Sequence, residues 1–390
     1  MNKVLLVGSG YSALPILLRL KKHFHVSVCG NAPDDPCHKY ADFSYFFDYA
    51  DSRKLLKLVK KEKFKFIIPS CNDYSYISAS KVANILKFPG YDNDENVNTI
   101  HNKEKFREFT TKNKIPAPKY QKINSRENFN FRTFKFPLLL KPTSLSAGRG
   151  IFKLKNEKEL DIVLKKISTQ KEKNRMILEE FVCGSLHSHS VFFENGKIVK
   201  KYFADEYCTI YQYQVNSSNH PSLLSKNLKL KVEKIINNII DRLKLNNGLL
   251  HTQFIINKNN IYIIEAMRRC PGDLFYHMIQ LSTEDDYLGM YIAPFINNKI
   301  SNFINKKKKN RYIIRHTISS YMDTNFYGYD FKLSSKSMRF IPLALAGQSI
   351  KKAPYEKSAI LFSDMPNKKK LLVETKRFKN KIKVIESNKI

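Results

Sequence analysis

A chain of 390 residues is long enough for two or three domains, each with a core of its own. A hydrophobic share of 42% with 12% aromatics excludes a disordered protein, and no apolar run reaches the roughly 18–20 residues that span a bilayer. The excess of 68 Lys and Arg over 35 acids, a net +33, would suit a polyanionic partner; without an RNP-like aromatic motif or Cys/His finger spacing, a nucleic-acid partner is disfavoured and the charge reads mainly as compositional bias.

In chain order, KVLLVG (3–8) predicts a buried strand, Gly8-Ser9-Gly10 a tight turn and 12–22 a helix. HVSVCG (25–30) is a second strand, 52–61 a helix, FKFIIPS (64–70) a third strand and 75–87 a helix. This βαβαβ order implies a parallel, Rossmann-like sheet, with Ser70 to Asp73 at a strand's C-terminal edge, where ligands gather. GSGYSA approaches the dinucleotide fingerprint, but the second strand ends Cys29-Gly30-Asn31, without the acid that would hold a ribose. It therefore reads as a structural turn. The apolar stretch 4–18 is broken by Gly8 and Gly10 and lacks a small-residue cleavage site, so a secretory leader is not expected.

Residues 90–100 read as a linker and 103–114 as a helix ended by Pro116 and Pro118. Strands are expected at 137–141 and 176–181, with a helix over 156–169 between them. Two hairpins follow, 186–193 with 197–204, turned at Asn195-Gly196, and 249–256 with 260–266; the helix 226–243 separates them. Beyond residue 300 the pattern is a basic α/β tail with patchy hydrophobicity. The six cysteines (29, 37, 71, 183, 208, 270) form no C-x-x-C pair, which argues for reduced thiols and against a zinc site or a disulfide framework.

Two segments carry chemistry. In FPLLLKPTSLSAGRG (136–150), a buried strand delivers Lys141 to a small-residue loop whose backbone N–H groups can approach an anion. In IYIIEAMRRCPGD (261–273), a second strand ends on Glu265, followed by Arg268 and Arg269. A phosphate cradle plus a strand-borne carboxylate is what Mg-nucleotide chemistry requires.

With these segments in that order, residues 3–290 resemble the ATP-grasp superfamily of ATP-dependent carboxylate–amine (or thiol) ligases, in a branch like carbamoyl phosphate synthase and biotin carboxylase. The resemblance implies an α/β fold with an α+β lid. Its expected parts are a Rossmann-like pre-ATP-grasp domain (1–98), a linker helix and lid (99–185), a metal and substrate subdomain (186–300) and the C-terminal region (301–390). It implies that Lys103, thirteen positions before Pro116, contacts the nucleotide phosphates. Lys141 would hold the α/β-phosphates, with Ser144, Gly148, Arg149 and Gly150 closing over them. ILEEFVCG (177–184) matches the hinge strand, which places Glu179, Glu180 and Val182 along adenine, with the Glu179 carboxylate available to the amino group or ribose; His187 lies just downstream. Gln253 and Glu265, twelve positions apart, match the metal pair. Arg269 matches the arginine that stabilises the acyl phosphate.

Two departures stand out: Gln253 replaces an acid, and Met267 replaces an asparagine ligand and cannot serve a hard cation. The implied function is a cytoplasmic ligase using ATP and Mg²⁺ (or Mn²⁺) to activate a small-molecule carboxylate, an amino acid or sugar acid among the options, and join it to an amine. A homodimer is left open. The alternatives are a catalytically degenerate nucleotide-binding protein, motivated by Gln253 and Met267, a basic nucleic-acid-binding protein and an oxidoreductase.

Overall fold

The computed structural model describes residues 1–123, 134–143, 148–168, 176–305, 310–332 and 338–386. Its first lobe comprises β1 (Lys3–Val7), α1 (Leu14–Leu20), β2 (His25–Gly30), α2 (Pro36–Tyr40), β3 (Phe43–Phe46), α3 (Ser52–Glu62), β4 (Phe66–Pro69) and α4 (Asp73–Leu86). The strands form a parallel sheet in the order β3-β2-β1-β4. Val4 to Val7 and Val26 to Gly30 are buried on both faces, which is why they read as continuous apolar runs rather than alternating ones. The expected linker at 90–100 is instead largely a helix, α5 (Asp94–His101), capped by the Asn93 side chain. Only Val97 and Ile100 of it are buried, so its apolar stripe is too short to announce itself as periodic. Then comes α6 (Lys103–Lys112), whose first turn is capped by Asn102.

The second lobe is a small antiparallel sheet: β5 (Tyr120–Ile123), β6 (Leu138–Pro142), β7 (Phe152–Leu154) and β8 (Met176–Glu180), ordered β5-β8-β6-β7, with α7 (Glu157–Ser168). Leu138, Leu140, Met176 and Leu178 fill its core. Strand alternation therefore turns Leu139, Lys141, Ile177 and Glu179 to the opposite face.

The rest of the chain is organised by one eight-stranded antiparallel sheet, ordered β13-β12-β9-β10-β11-β14-β18-β16. Its first five strands to appear are β9 (Ser185–Glu194), β10 (Lys197–Tyr207), β11 (Ser217–His220), β12 (Gly248–Asn257) and β13 (Asn260–Met267), with α8 (Lys226–Leu243) before β12. Asn195 (φ 52°) and Gly196 (φ 73°) turn the β9–β10 hairpin in the left-handed region that such two-residue turns need. Val232, Ile236, Ile239 and Ile240 of α8 pack on Val191, Phe193, Leu250 and Phe254. The other face, through Phe192, Tyr202 and Leu249, joins the core shared with the first lobe.

After α9 (Phe275–Thr283) and α10 (Tyr287–Ile292), β14 (Tyr312–Ile318) pairs with β11 and continues this sheet. Next are β15 (Thr324–Phe331), β16 (Met338–Pro342), β17 (Ser349–Ile350), β18 (Ala359–Met365), α11 (Lys368–Arg377) and β19 (Ile382–Glu386). The residues read as a patchy tail thus supply three strands of the main sheet. Their short two-faced strands hid that role. No described helix is long and apolar enough to cross a membrane, and all six cysteines are free.

Candidate nucleotide and metal site

A cavity of about 1100 Å³ opens between the three lobes. The lid contributes Lys141, Glu179, Glu180 and Val182, α6 contributes Lys103 and Arg107, and the main sheet contributes Gln253, Glu265, Met267 and Arg269. The two sequence segments singled out for chemistry therefore face one space.

The lid face carries a buried ion cluster. Lys141 Nζ lies 2.6 Å from Glu179 Oε2, and Arg107 Nε donates to Glu179 Oε1 at 2.9 Å. Arg107 Nη2 also donates to the Ile264 carbonyl at 2.6 Å. Burial alone would raise the Glu179 carboxyl, but Arg107 and Lys141 outweigh it and hold the acid at about 2. The expectation that the Glu179 carboxylate serves adenine or ribose is thus corrected: two cations already engage it. Arg107 went unnoticed in the sequence, although it lies one helical turn beyond Lys103 on the same face of α6. Lys103 itself has a lowered pKa because it is buried, against the pull of Glu265 and Asp73.

On the sheet face, Gln253 and Glu265 are direct cross-strand partners, so both point to one side. Glu265 lines the cavity and accepts no hydrogen bond from any described residue. Gln253 Nε2 donates to Glu206 Oε2 at 2.5 Å. Glu206, on β10, is 5% exposed and also lines the cavity. Sequence reasoning missed it as an individual residue within the polar stretch Asp205 to Ser218. Burial pushes its carboxyl up to about 7. A carboxyl raised this way lends its full stability below its ordinary value and loses it as pH climbs through 7. Glu206→Gln is therefore expected to raise the Tm at pH 8 in EDTA and to leave it unchanged at pH 4, as differential scanning calorimetry would show.

Arg269 is gripped by Asp73: Nε to Oδ1 at 2.8 Å and Nη2 to Oδ2 at 3.0 Å. His101 Nδ1 lies 3.0 Å from the same Oδ1. The first residue of α4 thus aims the arginine that follows β13, a bidentate geometry that fixes direction as well as charge. Asn72 beside it also lines the cavity, and its side-chain oxygen accepts from Ser75 N at 2.9 Å to cap α4. Arg268 is structural. It is fully buried, donating to Asp92 and to the Leu249 and Asn246 carbonyls, each at 2.6 Å.

Asp273 does not cap α9. It adopts φ 54°, and the residue preceding α9 is Leu274. Its carboxylate accepts from Tyr11 Oη at 2.8 Å and from Lys357, with Arg315 Nη1 at 3.7 Å, which ties the GSGYSA turn to the C-terminal strands. That engagement supports the structural reading of the turn.

Of the loop residues, Ser144 lies outside the described residues. Gly148 (φ 74°) lines the cavity and meets the β10–β11 loop; a Cβ there would sit 2.2 Å from the Tyr213 carbonyl, and Tyr211 Oη donates to the Gly148 carbonyl at 3.3 Å. Arg149 and Gly150 follow it but do not line the cavity. His187 is not on the cavity either. Strand alternation turns it to the opposite sheet face, where Nδ1 meets Asp205 Oδ1 at 2.9 Å, Nε2 meets Ser185 Oγ at 2.7 Å and the ring stacks on Phe254. The His187 expectation is corrected accordingly.

A divalent cation fits these side chains. Glu265 offers a carboxylate without a described protein donor, Gln253 offers an amide oxygen, and both are the hard ligands such ions prefer. Among the described residues, no group of three or more His, Cys, Asp or Glu is arranged to hold a metal.

Known proteins resemble this chain in sequence and in fold. Residues 134–275 match the family model described as an ATP-grasp domain. The formate-dependent phosphoribosylglycinamide formyltransferase of Nitratiruptor sp. is 26% identical over 46% of this chain and 47% of its own length. That of Prochlorococcus marinus (strain MIT 9312) is 24% identical over 76% of each. The carbamoyl phosphate synthase large chain of Sulfurisphaera tokodaii is 22% identical over 76% of this chain but 31% of its own. Among solved structures, an L-amino acid ligase from Bacillus licheniformis superposes over 100% of this chain and 99% of its own with a TM-score of 0.85 at 15% identity. The N5-carboxyaminoimidazole ribonucleotide synthetase of Thermotoga maritima gives 0.75 at 20% identity, covering 99% and 100%. The biotin carboxylase domain of Hydrogenobacter thermophilus 2-oxoglutarate carboxylase, solved with MgADP and bicarbonate, gives 0.77 at 16% identity, covering 99% and 91%. Residues 134–275 are thus similar to an ATP-grasp domain, and the chain as a whole shares the fold of these solved structures.

Proposed function

We propose that the protein is an ATP- and Mg²⁺-dependent ligase that activates a small-molecule carboxylate as an acyl phosphate and joins it to an amine, releasing ADP and phosphate. The observation that carries this reading is the facing of Lys141 on the lid and Glu265 on the sheet across one cavity, with Glu265 engaged by no described donor.

Residues 181–184 cross from lid to sheet outside any strand, and Val182 there makes no backbone hydrogen bond to a described residue. Its N–H and C=O suit the adenine edge, which offers one acceptor and one donor. Lys103, Arg107 and Lys141 bring three basic side chains to the cavity, which suits a triphosphate. Phosphoryl transfer asks little covalent help from protein; it needs alignment and cations against developing charge. A divalent ion held by Glu265 and Gln253 would add Lewis-acid neutralisation of phosphate oxygens. Arg269, aimed by Asp73, would stabilise the acyl phosphate and the tetrahedral state that follows amine attack. Gly148, held against Tyr211 and Tyr213, would help shield the acyl phosphate from water.

Gln253 and Met267 favour one second reading, nucleotide binding without turnover. An ADP-release assay over a panel of amino acids, sugar acids and other small carboxylates, with and without amines, separates the two. Carboxylate-dependent ADP release is expected. A rise in Tm with Mg·ATP but no release across the panel would favour the second reading, and neither response would refute both.

A further inference from the structure

We propose that Glu206 supplies the acidic ligand that position 253 lacks, so that Glu265, the Gln253 amide oxygen and Glu206 together hold the divalent cation. The inference rests on the nucleotide reading above and concerns where this chain keeps the second negative charge of its metal site.

The sheet geometry places the three side chains together. Glu265 stands opposite Gln253, Gln253 opposite Ser188, and Ser188 opposite Ala204. Directly paired residues share a face, and so does Glu206, two positions beyond Ala204. Across β13, β12, β9 and β10 the row thus turns one acid, one amide and a second acid toward the cavity.

The hydrogen bond fixes the amide's direction. Ionised Glu206, the form that binds a cation, only accepts, so Gln253 presents its nitrogen to it, at 2.5 Å. Its oxygen is then left for another partner, and no described donor engages it.

Burial supplies the third argument. Glu206 is 5% exposed, yet it forms no ion pair with a described residue within contact distance. Arg315, whose charge reaches it, is itself held by Asp273 and Ser218. Buried carboxylates persist where they are paired or coordinate a cation. A cation between Glu206 and Glu265 would meet that need and relieve the repulsion between the two acids. Two carboxylates are also the complement that acids at both 253 and 265 would give. The charge sits two sheet positions away, on β10 rather than β12, and the glutamine in its place orients the new ligand.

The test is Mn²⁺ binding by the full chain in the presence of saturating adenylyl imidodiphosphate, read from the electron paramagnetic resonance signal of free Mn²⁺. Glu206→Gln should weaken Mn²⁺ binding about tenfold or more, since even outer partners of metal ligands commonly cost that much. Analogue binding in EDTA should stay at the wild-type level. The double variant Glu206→Gln/Gln253→Glu returns the carboxylate to β12 and should recover most of the affinity. Wild-type Mn²⁺ affinity in Glu206→Gln, alongside loss in Glu265→Gln, would overturn the proposal and leave the nucleotide reading intact. A folded double variant without recovery would also overturn it. Failure of the wild type to bind the analogue, or indifference of Mn²⁺ to both Glu206 and Glu265, would overturn the nucleotide reading and the proposal together.

Discussion

Glu265→Gln is expected to reduce carboxylate-dependent ADP release about a hundredfold or more, because a metal clamp supplies several kcal/mol of transition-state stabilisation and each 1.36 kcal/mol is worth tenfold. The same change should leave the Tm in EDTA almost untouched, since Glu265 makes no hydrogen bond to any described residue that its loss would break. This combination separates a working residue from a structural one. Analogue binding without metal should also survive, because Lys141 and Val182 lie on other segments. A variant that unfolds, or one that keeps full turnover, would show that the carboxylate does something else.

Lys141→Ala is the second large effect, and it should look different. Lys141 is a phosphate ligand in the proposed function and also one of two cations on the buried Glu179. Its removal should abolish the rise in Tm that Mg·ATP produces and also lower the Tm of the free protein, because a buried carboxylate left short of a partner is costly. The pH dependence identifies the cause. Glu179 is held at about 2, below its ordinary value, so its stabilisation is present above that ordinary value and disappears as pH falls toward 2. At neutral pH the shift corresponds to about 3 kcal/mol in wild type. Glu179→Gln should therefore cost most near pH 7 and converge with wild type near pH 2, as urea titrations would show. If the Lys141→Ala and Glu179→Gln penalties were independent of pH, the ion cluster would not be their source.

Much of this was legible in the sequence, for identifiable reasons. Elements with a strong pattern were read to within a residue or two, such as the apolar run of β1, the Asn195-Gly196 turn and the amphipathic α8. Gln253 and Glu265 could be paired because a hairpin fixes their spacing and therefore their face. What escaped reading depends on contacts between distant segments. Arg107 carries no mark in its own stretch of sequence, and its partner Glu179 lies 72 positions away. Glu206 sits inside a polar stretch, and only the strand order β12-β9-β10 places it beside Gln253. Asp73 and Arg269, 196 positions apart, meet only because the first lobe packs on the main sheet. His187 failed for the opposite reason: it was read near the hinge without regard to alternation, which turns it away from the cavity.

The proposed function requires one adenine nucleotide between lid and sheet, its base at Val182 and its triphosphate between Lys103, Lys141 and Glu265. The most direct measurement is a crystal structure with adenylyl imidodiphosphate and Mg²⁺. Density for the analogue in that position, with the cation against Glu265, is the predicted result. An empty cavity, or the nucleotide seated over Gly8 and Gly10 of the first lobe, would contradict the account.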